Sequence, residues 1–189
     1  MRKVYILLSR TRTIASRTVH LFTRGRFTHV SIALEPSTEK FWSYARRSLH
    51  NPFSGGLMKE NTKTFIFGRY GEMKCALLSL QVSDEAYQKI AQRLYDMVIN
   101  FDKCKYSIRG LPLALLRIQH DSLFRFNCAH FVAHLLKLSD AVPLPKHPSL
   151  MRPMDFLKLS GIRLLYEGTL GECAFPSLEV ERGRVLGCM

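Results

Sequence analysis

The sequence predicts an α+β fold, with an antiparallel sheet packed against helices. Strand-like runs crowd the first part of the chain and helix-like runs follow them, which is the order of an α+β domain and not the alternation of a doubly wound sheet. At 189 residues, 47% of them hydrophobic, the chain is long enough to bury a core of its own. One domain is expected over 1–189, with about 170–189 as a weakly specified tail.

The elements follow in order. VYILLS (4–9) is a short apolar run rich in β-formers and reads as a buried strand. A Ser/Thr/Arg-rich turn leads into IASRTVHLF (14–22), where Ile14, Thr18 and Leu21 recur at helical spacing. FTHVSIALE (27–35) alternates as a strand does, with Val30, Ile32 and Leu34 on one face and His29, Ser31 and Ala33 on the other. Pro36 and Ser37 end it, and FWSYA (41–45) reads as its hairpin partner. SLHNPFSGGLMKENTK (48–63) carries Asn-Pro and Gly-Gly without periodicity and predicts a long loop able to flank a site.

TFIFGRY (64–70) and MKCALLSLQV (73–82) are two further strands. Ser83 then opens a helix: Asp84 and Glu85 stand in its first turn, where the dipole favours acids, and Ala86, Ile90, Leu94 and Met97 form its apolar stripe. YSIRGLPLALLRIQ (106–119) is apolar but broken by Gly110 and Pro112, so a loop into a short helix is expected. CAHFVAHLLKL (128–138) is a helix. Pro143, Pro145, Pro148 and Pro153 exclude regular structure after it, residues 155–160 read as a short helix and IRLLYEG (162–168) as a last strand.

The 28 Lys and Arg outweigh 15 Asp and Glu, for a formal charge of +13. Such a field attracts anionic partners. The basic residues are dispersed and form no Lys/Arg block of the kind that marks a nucleic-acid or lipid tail, so nucleic acid is not an obligatory partner. A small-molecule, peptide or lipid substrate of anionic character, and peripheral contact with anionic surfaces, suit the charge better. Cysteines at 75, 104, 128, 173 and 188 are odd in number and contain no C-x-x-C pair, which argues against a disulfide framework or a zinc ribbon and for reduced thiols in the cytoplasm. The apolar run in MRKVYILLSRTRT is too short for a signal-peptide core or a membrane span.

FNCAHFV (126–132) holds the most chemical residue of the chain. On a helix, Cys128, Phe131, Val132 and Leu135 share one face, with His130 and His134 on the other. Cys128 also occupies the first turn, where backbone amides and the helix dipole favour a thiolate and can donate to an oxyanion. An isolated cysteine is more often a small buried hydrophobe. What raises Cys128 above that is a partner able to take its proton, and His29 qualifies. Ser31 and Ala33, small residues on the His29 face, leave room for a helix to approach, and the Cys128 helix is the candidate.

THVSIAL followed by FNCAHFV resembles the permuted branch of the NlpC-type papain-like superfamily, which includes the lecithin:retinol acyltransferase-like proteins. There a strand histidine in an HVxIxL context precedes a cysteine in an NCxHFV or xCxxFV context. The resemblance spans roughly Val4 to Leu138 in layout and rests on the two short motifs. It implies a circularly permuted papain-like fold, with Cys128 as nucleophile at a helix N-terminus, His29 as general base and no cofactor, acting on an amide, peptide or ester. The family's third polar residue lies on the strand after the histidine strand, which makes Ser43 the first choice and Tyr44 the second. Neither is the His, Glu or Gln usual there. The acyltransferase subgroup has Glu where this chain has Ala129, so the broader bacterial group of thiol hydrolases is the better fit. Trp42, Tyr44 and Asn127, beside the motif residues, are the candidates for touching substrate; core packing competes for Trp42.

His130 and His134 have metal-ligand spacing, but Phe131 stands where the metalloprotease motif needs Glu. No metal is expected, and the pair reads as a solvated face. Asp155 reads as a helix cap. His50 and Asn51 read as loop residues. His20, His120 and His147 have no recognisable partner, while Cys75 falls in a strand and Cys104 in a polar turn.

Overall fold

A computed structural model describes residues 1–10, 25–36, 40–46, 54–60 and 73–173. Strands β1 (Arg2–Ser9), β2 (His29–Ala33), β3 (Phe41–Arg46), β4 (Gly55–Glu60), β5 (Lys74–Val82), β6 (Lys105–Tyr106), β7 (Arg125–Phe126) and β8 (Ile162–Thr169) join in one sheet. Its order is β7-β6-β4-β3-β2-β1-β5-β8. Every pairing is antiparallel except that of the two-residue strands β6 and β7. Helices α1 (Asp84–Ile99), α2 (Gly110–Leu115) and α3 (Cys128–Leu138) complete the regular structure, with short 3-10 turns at Phe101–Lys103, Pro148–Leu150, Pro153–Lys158 and Leu170–Glu172.

Alternation along the central strands sorts side chains into two layers. Val4, Ile6 and Leu8 of β1, Val30 and Ile32 of β2, and Ala76, Leu78 and Leu80 of β5 form the main core with Ile90 and Leu94 of α1 and Phe131, Val132 and Leu135 of α3. Tyr5, Leu7, Ala33, Phe41, Cys75 and Leu77 pack on the opposite face with Leu170 and Cys173. All five residues of β2 are consequently buried. The layout is therefore mixed α+β, as expected.

Helix α1 forms for the reasons its sequence states: Ser83 Oγ accepts from the amide of Ala86 at 3.0 Å, and Ala86, Ile90, Leu94 and Met97 are its buried stripe. Three expectations are corrected. Residues 55–60, read as loop, are strand β4, held by six registered pairs to β3 from Phe41↔Glu60 to Arg46↔Gly55. Two glycines followed by Leu-Met-Lys-Glu carry no strand pattern of their own, so the partner strand supplies the conformation. Helix α3 packs on the Val30/Ile32 side of the sheet, whereas Ala33 belongs to the opposite layer, so Ser31 and Ala33 do not make room for it. Finally, the proline-bearing stretch contains two 3-10 turns, which tolerate proline at their first positions. The helix expected at 14–22, the strand expected at 64–70, His20, His50, Asn51 and Cys188 lie outside the described residues.

Candidate active site

His29 is the first residue of β2 and Cys128 the first of α3, so the two meet at element ends and not across a packed face. Two antiparallel pairings fix the strand end: Ser9 lies opposite His29 on β1, and Ile32 opposite Trp42 on β3. The helix start is fixed by Asn127, whose Oδ1 accepts from the amide of His130 at 2.8 Å. Phe131 makes the first intrahelical bond, to the carbonyl of Asn127 at 3.0 Å. By helix geometry the amides of Cys128 and Ala129 then have no intrahelical acceptor.

His29 is 8% exposed, and its imidazole lies between two partners. Its Nε2 is 2.7 Å from Glu60 Oε1. Cys128 is the ring's second neighbour and raises its pKa through a hydrogen-bonding and a charge contribution; with Nε2 engaged by Glu60, Nδ1 is the nitrogen that remains for the thiol. Glu60 is itself buried, and Ser43 Oγ donates to the same Oε1 at 2.5 Å. Burial alone would push His29 down. The Glu60 carboxylate, and after it the hydrogen bond and charge of Cys128, overcome that and hold the imidazole well above its ordinary value of 6.5. The ring thus has a carboxylate on one side and a sulfur on the other, and both favour its protonated form. Cys128 is only partly buried, at the edge of the main core.

The candidate residues fall into place unequally. Cys128 and His29 are together. The group on His29 Nε2 is Glu60 and not Ser43; Ser43 stands one step further out and fixes the carboxylate. Tyr44 is fully buried, packs against Phe126 and Phe131, and donates its hydroxyl to the carbonyl of Phe124 at 3.3 Å, so it is a core residue and not a substrate contact. The side chain of Asn127 is occupied in capping. Trp42 is half-buried against the main core.

Glu60 escaped the sequence reading because it sits in a stretch taken for loop. The signal that pointed toward it was the absence of any His, Glu or Gln in FWSYA, which left the orienting position open to a neighbouring strand.

The His130/His134 face is largely interior, with His130 buried and His134 half-buried. His130 is 1% exposed and its ring packs edge-on against His120 and Phe126, while His134 lies against Phe126 at 4.9 Å between ring centroids. Burial, with His120, His134 and His147 nearby, pushes His130 down to about 3; burial and then Arg93 push His134 down to about 4. Among the described residues no group of His, Cys, Asp or Glu has the arrangement of a metal site. Cys104, read as lying in a polar turn, is buried and donates its thiol to the carbonyl of Met97. Asp155 does cap, accepting from the amide of Arg152 at 2.6 Å. No described helix is long and apolar enough to cross a membrane.

Neither a protein-family model nor a curated protein sequence matches this chain.

Proposed function

We propose that this protein is a thiol hydrolase or acyltransferase of circularly permuted papain-like type, acting on an amide, peptide or ester with Cys128, His29 and Glu60 as its catalytic unit. The observation that carries the reading is the buried imidazole joined to a carboxylate at one nitrogen and to a thiol at the helix start. A cationic His29 beside Cys128 stabilises the thiolate, which is the nucleophilic form. The sulfur adds to the substrate carbonyl, and the developing oxyanion is received by the amides of Cys128 and Ala129.

Collapse expels the amine or alkoxide, which takes the Nδ1 proton of His29, and leaves a thioester on Cys128. Water, or an acceptor amine or alcohol, then gives its proton back to His29 and attacks the thioester, restoring the thiolate. Glu60 keeps Nε2 protonated and the ring in place throughout, and Ser43 keeps Glu60 in place. The net charge of +13 favours an anionic substrate.

That same charge is what favours a second reading, a catalytically idle module of this fold that binds an anionic membrane surface or nucleic acid. Alkylation separates the two. Under the enzymatic reading, iodoacetamide modifies Cys128 at pH 7 at least about tenfold faster than an unactivated thiol, and His29→Ala abolishes the excess. A rate equal to that of a free thiol in both proteins leaves only the idle module.

A further inference from the structure

Residues 107–124 make a closed excursion whose ends are tied to each other. β6 pairs with β7, and the amides of Lys105 and Ser107 donate to the carbonyls of Phe124 and Phe126 at 3.0 and 2.8 Å. Helix α2 lies inside the excursion and is closed by bonds from the amides of Leu116 and Ile118 to the carbonyls of Pro112 and Leu113. The whole stands beside Cys128. β7 runs directly into Asn127, and Gly110 sits so near that a Cβ there would lie 3.4 Å from Asn127 Nδ2.

The outside of this excursion is aliphatic and basic. Ile108, Leu116, Ile118 and Leu123 are 44, 71, 49 and 69% exposed. Arg109 and Arg117 stand exposed among them, with Lys103, Lys105 and Arg125 exposed at the base. The acids of residues 101–125 are Asp102 and Asp121, and Asp121 faces His147 Nε2 at 3.4 Å. Large aliphatic side chains held out in water from one tied loop mark an interaction surface.

The chemistry selects the occupant. Bases stack on aromatic rings, whereas the exposed large apolar side chains of the excursion are Leu and Ile. Protein interfaces draw most of their energy from aromatic and arginine anchors seated in pockets. A bilayer boundary accepts aliphatic side chains without a matching shape, and its anionic headgroups attract the interspersed cations. We propose that the 107–124 excursion docks on an anionic phospholipid bilayer, inserting Ile108, Leu116, Ile118 and Leu123 and holding the start of α3 at the membrane surface. Docking does not depend on thiol chemistry, so Cys128→Ala retains it and a failure of the catalytic reading is separable from a failure of this one.

The full chain is floated with phosphatidylcholine vesicles, with and without phosphatidylserine. Binding to the anionic vesicles is expected to be at least about tenfold tighter, and the Leu116→Ser/Leu123→Ser variant to lose about tenfold at an unchanged unfolding temperature. Arg117→Glu weakens binding in the same assay. No vesicle binding, or binding that the leucine variant leaves intact, overturns the proposal. An RNA oligonucleotide whose binding the leucine variant weakens, without vesicle binding, assigns the surface to nucleic acid instead.

Discussion

His29 is held above its ordinary value because two neighbours outweigh its burial, and removing either neighbour has a definite direction. Glu60→Gln keeps the shape and a hydrogen-bonding oxygen but removes the carboxylate charge, the largest single influence that raises the ring's pKa. The imidazole should then titrate at lower pH, read from its proton resonances in NMR, and alkylation of Cys128 at pH 7 should slow by about tenfold or more. Ser43→Ala removes only the outer hydrogen bond and should slow it less. An unmoved His29 titration in Glu60→Gln would mean that the carboxylate does not govern the ring. Breaking the buried His29–Glu60 pair also costs stability, on the order of 3 kcal/mol if one partner is left charged and alone.

Helix α3 begins at the sulfur because Asn127 ends the extended strand and caps the turn. Asn127→Ala should destabilise the fold by about 1 kcal/mol in urea denaturation, whereas Asn127→Asp, which keeps the accepting oxygen, should cost less. Equal losses in the two variants would contradict the cap. The helix was legible from its apolar stripe and the strand from His29 at the head of a clean alternation, but Asn127, expected to touch substrate, proves to be the cap. β4 was not legible, since its Gly-Gly start and polar end acquire strand form only by pairing with β3. The same gap hid Glu60. The side of the sheet on which α3 packs was also illegible, since alternation divides residues between two faces without saying which face a helix covers. His130 and His134 look polar by residue type, and only the position of His120 and Phe126 makes their face an interior one.

Across the whole molecule, stability has two pH limits set by different histidines. His130 and His134 are held neutral, at about 3 and about 4, so the unfolded chain binds their protons first. Their contribution is complete above about pH 6.5 and falls with acidification by up to about 1.4 kcal/mol per pH unit for each group. His29 is raised, so its contribution is complete below 6.5 and is lost only as pH rises through its folded value. The urea midpoint should therefore fall between pH 7 and pH 5, and a constant midpoint would contradict the buried neutral pair.

The central claim is that Glu60 acts on Cys128 through His29. A double-mutant cycle tests it most directly, with alkylation of Cys128 at pH 7 as the readout in the parent protein, His29→Ala, Glu60→Gln and the double variant. Groups that act as one unit are non-additive. The double variant should react no more slowly than His29→Ala alone. Losses that multiply would mean that Glu60 and His29 act on the thiol independently, and the unit described here would not exist.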